Sequence, residues 1–155
     1  MAEWLLEHPD PPVAVIRRSD PTRRVLVYVD GTSDATRAVS CAAELPWLAT
    51  CEVRVVALRG QGRYGGEAVQ DAVARLQGAG ADPIVQRAHA PAWLSTAEKA
   101  RVVLKEIEAF DPDLIVVGLK AHRSLARAFR ATGPTKSTWS VLVAVARDGT
   151  AADRE

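Results

Sequence analysis

Four consecutive apolar residues, Leu114-Ile115-Val116-Val117, stand between a helix-stopping Asp111-Pro112 and a glycine, Gly118. The run is continuous rather than alternating, which suits a strand whose sheet is covered by helices on both faces. Glycine at the carboxyl end of such a strand lets backbone approach a ligand closely, and open α/β sheets take their ligands at that edge. A cationic segment, Leu119-Lys120-Ala121-His122-Arg123, follows the glycine. This one stretch therefore points to a fold class and to the rim where function should sit.

The rest of the chain repeats the same alternation. Val25-Leu26-Val27-Tyr28-Val29 is rich in β-branched residues and ends at Asp30-Gly31, a strand followed by a turn. Thr32, Ser33 or Asp34 can cap the next helix, in which Ala35, Ala38, Val39, Ala42, Ala43 and Leu45 keep a helical period until Pro46 ends or kinks it. Val53 to Leu58 reads as a second strand. A glycine-rich loop (Gly60, Gly62, Gly65, Gly66) then leads to a helix from about Glu67 to Gln77, stopped by Gly78 and Gly80. Ile84 to Ala88 is a short third strand. Ser95 or Thr96 opens a helix through Phe110, with Val102, Val103, Leu104, Ile107 and Phe110 as its buried stripe. The fourth strand is the run described first. A helical piece from about Ser124 to Ala131 breaks at Gly133-Pro134, and Val141 to Val145 is the fifth strand.

Strands alternating with helices imply right-handed crossovers and a mostly parallel sheet. The expectation is an α/β fold with a single five-stranded, mostly parallel sheet flanked by helices. It divides the chain into an N-terminal arm (1–22), a domain (23–147) and a polar tail (148–155). The arm is broken by Pro9, Pro11, Pro12 and Pro21. Its apolar piece, Val13-Ala14-Val15-Ile16, reads as a loosely ordered segment, an extra edge strand or a dimer clasp.

Composition excludes several function classes. With 155 residues the chain makes one domain with a proper core, and a formal charge of +1 provides no global field for nucleic acid or an anionic membrane. Cys41 and Cys51 suit reduced thiols of the cytoplasm better than a disulfide framework. No basic, apolar leader and no apolar run of membrane-spanning length is present, so a cytoplasmic location is expected.

Three pieces resemble the universal stress protein family, in order and at plausible separation: VLVYVDGTS (Val25 to Ser33), DPDLIVVG (Asp111 to Gly118) and the closing strand Val141 to Val145. The likeness covers roughly Arg23 to Arg147. It implies an adenine nucleotide α-hydrolase-like sheet, usually dimeric, that in many members carries ATP or AMP and in others carries none. The nucleotide-binding pattern of the family is a glycine, two residues, a glycine, nine residues, and a glycine followed by Ser or Thr. Gly118 matches the first position, but Ala121 and Ala131 occupy the other two, with Thr132 behind. The chain is closer to the branch that lacks this glycine motif. Glycines there serve positive-φ geometry and turn N–H groups toward phosphate.

Should an adenine nucleotide bind, the matching positions are definite. Asp30 would face adenine or ribose, or else form the turn and cap the helix. Leu58 would pack on the base or belong to the core. Val117 and Gly118 would line the pocket floor, and Tyr28, in place of a small residue or proline, would narrow the adenine slot. Lys120, His122, Arg123 and Lys136 supply positive charge. Gly133 with Thr135, Ser137 and Thr138 offers a different phosphate loop.

Other signals point to no catalytic chemistry. Gly133-Pro134-Thr135-Lys136-Ser137 lacks the glycines of a P-loop. His8, His89 and His122 lack metal-ligand spacing, so no metal site is expected. No nucleophile elbow occurs. Arg123, Arg127 and Arg130 line one helix face, which near-neutral overall charge assigns to solvent or an acidic partner rather than nucleic acid. The tryptophans Trp4, Trp47, Trp93 and Trp139 plug helix ends or mark interfaces. Trp139, Val141, Val143 and Val145 are the expected dimer interface, if the final strand lies at the sheet edge and pairs antiparallel with a second copy. The functional expectation is a non-catalytic regulatory protein of stress response that binds a partner or small ligand. The alternative is an ATP- or AMP-binding member with an altered phosphate loop and at most slow hydrolysis.

Overall fold

Successive buried residues on one strand need cover on both faces, and Val25, Leu26 and Val27 are each 0% exposed. A computed structural model of the chain, describing residues 12–16, 21–59, 64–131 and 139–145, shows that cover. The elements run β1 (Val13–Val15), β2 (Arg24–Tyr28), α1 (Ser33–Ala43), β3 (Glu52–Arg59), α2 (Tyr64–Gly78), β4 (Ile84–His89), α3 (Thr96–Phe110), β5 (Leu114–Gly118), α4 (Leu119–Ala131) and β6 (Ser140–Ala144). A short 3-10 turn, Leu48–Thr50, follows α1.

The sheet has six strands in the order β1-β6-β5-β2-β3-β4. Strands β2 to β6 are mutually parallel, and β1 alone pairs antiparallel, against β6. The expected α/β fold is present, with one strand more than the expected five. That sixth strand is the apolar piece of the N-terminal arm. Helices α1 and α2 cover one face through Ala38, Val39, Ala42, Val69, Ala72 and Leu76. Helices α3 and α4 cover the other through Ala100, Val103, Leu104, Ile107, Leu125 and Ala128. All five residues of β5 are buried, as its unbroken apolar run requires.

Local chemistry sets the helix starts. The Thr32 side chain caps α1 by accepting from the Ala35 N–H at 3.2 Å. Ser95 and Glu98 form a reciprocal capping box at α3: the Glu98 N–H donates to Ser95 Oγ at 3.2 Å, and the Ser95 N–H donates to Glu98 Oε2 at 2.7 Å. Helix α4 begins at Leu119, directly after β5, rather than near Ser124. Its buried residues Ala121, Leu125 and Ala128 keep helical spacing through the segment that Lys120, His122 and Arg123 make look like a loop.

The amino-terminal edge of the sheet is tied by Asp113, whose Oδ2 accepts from the N–H groups of Arg23 (2.8 Å) and Arg24 (2.9 Å). Beside it the Arg54 guanidinium lies 4.3 Å over the Phe110 ring, and Arg24 Nη1 donates to the Phe110 carbonyl at 2.9 Å.

Candidate functional site at the carboxyl edge of the sheet

The chain passes from β2 through α1 to β3 on one side, and returns through α3 to β5 on the other. The order of strands therefore reverses between β2 and β5. Such a reversal opens a crevice at the carboxyl ends, where ligands of open α/β sheets sit. Helices α1 and α4 both start there, α1 after the short turn that follows β2 and α4 directly after β5, so two positive helix ends face the same edge.

Most of the sequence-predicted residues converge on this edge. Tyr28 ends β2, Leu58 precedes the last residue of β3, Val117 and Gly118 end β5, and Asp30 lies just beyond β2. Lys120 and His122 occupy the first turn of α4, with Lys120 exposed and His122 half-buried. Gly133 and Thr135 lie outside the described residues. Several of the converging residues pack in the core. Leu58 (7% exposed) and Val117 (1%) belong to the core cluster under α3 and α4, and Tyr28 packs partly buried against it. Burial, and then the nearby Asp30 charge, push the Tyr28 hydroxyl far above the ordinary tyrosine range.

Asp30 is occupied locally. Its Oδ1 accepts from Thr32 Oγ1 at 2.6 Å and from the Thr32 N–H at 3.0 Å, which holds the residue that caps α1. Gly31 between them has φ +82°, the left-handed geometry that favours glycine. Asp30 thus forms the turn, and Thr32 is the cap.

Gly118 also serves packing. A Cβ placed on it would lie 2.8 Å from the Ala35 backbone nitrogen and 2.8 Å from Asp34 Cβ. The backbone that approaches this glycine is the first turn of α1, not a ligand, and that turn closes the crevice floor. Nothing short-range in the sequence announces the contact. Ala121, where the family pattern has its second glycine, is 7% exposed inside α4 and packs in the core. Residues 118–131 thus form a strand end and a helix, and they do not fit the loop that cradles phosphate in the family pattern.

The residues expected at a dimer interface lie on and beside β6. Trp139 is half-buried, its ring meeting Phe129 edge-on at 5.5 Å. Val141 and Val143 lie on β6, while Val145 falls just beyond it. Strand β6 is not the sheet edge, because β1 of the same chain covers it.

The larger cavity lies elsewhere. A groove of about 620 Å³ runs between α2 and the outer strand β4, lined by Val69, Val73, Gln77, Val85, Arg59 and Arg87 among others. Helix α2 sits over β3 and leaves the face of β4 open, with Val85 36% exposed and Ile84 55%. An apolar pair beginning an edge strand is the signal in the sequence that could have indicated it. A second crevice of about 10 Å³, between Val29, Val39 and Ala72, holds at most a water molecule. Among the described residues no group of three or more His, Cys, Asp or Glu side chains gathers as a metal site, and no helix is long and apolar enough to cross a membrane. Both cysteines are free, and burial is the first cause that raises each thiol above its usual range.

A model of the universal stress protein family matches residues 21–136. The chain belongs to the universal stress protein family. Solved structures of this family share its fold. A universal stress protein in complex with cAMP is 18% identical, with a TM-score of 0.59 over 81% of this chain and 98% of that one. A family protein from Burkholderia pseudomallei is 18% identical, with a TM-score of 0.52 over 81% and 96% of the two chains. The universal stress protein from Archaeoglobus fulgidus is 16% identical, with a TM-score of 0.53 over 81% and 99%. No curated protein sequence matches the chain.

Proposed function

We propose that this universal stress protein is a non-catalytic regulatory module that binds a small anionic ligand, foremost an adenine nucleotide, at the β2/β5 edge. One observation carries the reading: the strand-order reversal aims the amino ends of α1 and α4 at a single crevice, beside the exposed Lys120. The cAMP complex of a family structure with the same fold supports the nucleotide class. The closed floor at Gly118 and the buried Ala121 make the pose shallow, with the ligand lying across the rim rather than wrapped by residues 118–131. Binding shifts which surface the protein presents, and no turnover is involved. A cytoplasmic setting agrees with two free thiols.

The test has two parts. Pure protein is denatured and the supernatant chromatographed for ATP, ADP, AMP and cAMP; native protein is then melted with millimolar amounts of each. The expected result is a raised melting temperature with at least one of them, weakened in Lys120→Ala. No copurified nucleotide and no thermal shift would remove the adenine class. Steady phosphate release from ATP, proportional to protein, would remove the non-catalytic part.

A further inference from the structure

Strand β4 ends the described sheet on the side away from β1, so one of its borders pairs with β3 and the other with no strand among the described residues. What that border offers follows from alternation. The register sets Val55 opposite Val85, Ala57 opposite Arg87 and Arg59 opposite His89. Val55 and Ala57 belong to the core under α1 and α2, so Val85, Arg87 and His89 turn to that same face. The Ala90 N–H donates to the Arg59 carbonyl at 3.1 Å, which in a parallel ladder directs the backbone groups of Gln86 and Ala88 toward β3 as well. Those of Val85, Arg87 and His89 then point outward. Two of these three, Val85 and Arg87, also line the groove of about 620 Å³ beside α2. Free backbone partners and a place for side chains therefore occur at the same residues.

The groove is divided in its chemistry. Val69, Val73, Ala74 and Val85 make it apolar, while Arg59 and Arg87 bring positive charge toward the carboxyl end of the two strands. The two arginines are diagonal neighbours on one face of the β3–β4 pair, and both are exposed. No carboxylate is among the lining residues; Asp71 of α2 faces the small crevice instead. A purely apolar strand laid here would cover two guanidiniums without giving them partners. A second copy of β4 would bring further guanidiniums beside these, which like charge opposes. A strand that carries carboxylates next to an apolar residue meets both halves of the groove.

We propose that the β4 border docks an extended acidic segment of another protein, added as an outermost strand, with an apolar side chain against Val85 and carboxylates against Arg87 and Arg59. Main-chain hydrogen bonds would supply affinity, and the alternate side chains in the groove would supply selectivity. The β2/β5 rim takes no part, so this inference stands or falls separately from the proposed function.

The probes are two fluorescein-labelled peptides, Glu-Thr-Glu-Thr-Val-Thr and its reverse, capped at both ends and matched to antiparallel and parallel docking. At least one is expected to bind the full chain saturably by fluorescence anisotropy, and the same peptide with Lys for Glu is expected to bind about tenfold or more weakly. Arg87→Glu should reverse that preference. If circular dichroism shows this variant unfolded, Arg59→Gln replaces it and should weaken the acidic peptide alone. N-methylation of one alternate set of peptide amides, the set turned to β4, should abolish binding, and methylation of the other set should leave it intact. Bound peptide should slow hydrogen exchange at the Val85, Arg87 and His89 amides. No saturable binding up to about 1 mM would overturn the proposal. So would indifference to the sign of the peptide charge, equal loss from both methylated sets, or protection confined to residues outside β4 and α2.

Discussion

Gly118 and Asp34 touch so closely that the glycine admits no side chain: its added Cβ would sit 2.8 Å from that of Asp34. The end of β5 and the first turn of α1 are thereby fixed against each other across the crevice floor. Gly118→Ala should lower stability by about 1–3 kcal/mol, the usual cost of forcing an extra carbon into a packed interior. Gly66→Ala is the control, because a Cβ there meets nothing within 4 Å and helix α2 gains about 0.5–1 kcal/mol from the exchange. Urea unfolding of both variants checks the pair. Equal effects would show that the close approach at Gly118 does not decide its identity.

Tyr28 gives the fold an alkaline limit. Its hydroxyl is raised by burial first and by the Asp30 charge second, so the folded protein holds this proton where the unfolded chain releases it. The sign follows: the contribution is fully present below the unfolded tyrosine value of about 10 and is lost as pH rises from there toward the folded value. Stability measured from pH 8 to 11 should fall above about 10 in wild type, and the fall should be shallower in Tyr28→Phe. Parallel curves would sink this reading. Ultraviolet titration of native protein should likewise find Tyr28 un-ionised at the pH where free tyrosine titrates.

The capping box at α3 sets a limit on the acid side. The Glu98 carboxyl is held below its usual range chiefly by the Ser95 backbone N–H and then by the Ser95 side chain. Its contribution is therefore complete above the ordinary glutamate value of about 4.3 and fades as pH falls through the lower folded value. Ser95→Ala should cost about 1 kcal/mol at neutral pH, as loss of a helix cap does. The stability gap between wild type and Glu98→Gln should narrow as the solution is acidified from pH 5 to pH 2. A gap constant over that window would mean the carboxylate charge does not matter there.

Much of this architecture is legible in the order of residues. Leu114 to Val117 has to be a doubly covered strand because four apolar neighbours leave no polar face, and Val25 to Val29 followed by Asp30-Gly31 has to end in a turn. Helix α3 announces itself through Ser95, Glu98 and its apolar stripe. Helix α4 starts earlier than the sequence suggests because its buried stripe is made of small residues, Ala121 and Ala128 around Leu125, which Lys120, His122 and Arg123 outweigh in any average. The three residues of β1 lie among prolines and carry no period, so only the exposed border of β6 gives them a structure. The rim is legible from the strand ends, and Tyr28, Asp30, Leu58, Val117, Gly118 and Lys120 do meet there. Their packing was not legible, since the contact of Gly118 with Asp34 joins distant parts of the chain through a crossover.

The seating of Val13–Val15 bears on how readily the sheet can be lengthened. With it in place the outermost strands of the described sheet are β1, three residues long, and β4, where Ile84 and Val85 stand exposed ahead of the charged Arg87. A border so brief gives a visiting strand few backbone partners, and charge beside the apolar pair blunts the other. Three residues ahead of the first parallel strand therefore help keep the sheet finite at the end where β6 would otherwise lie bare.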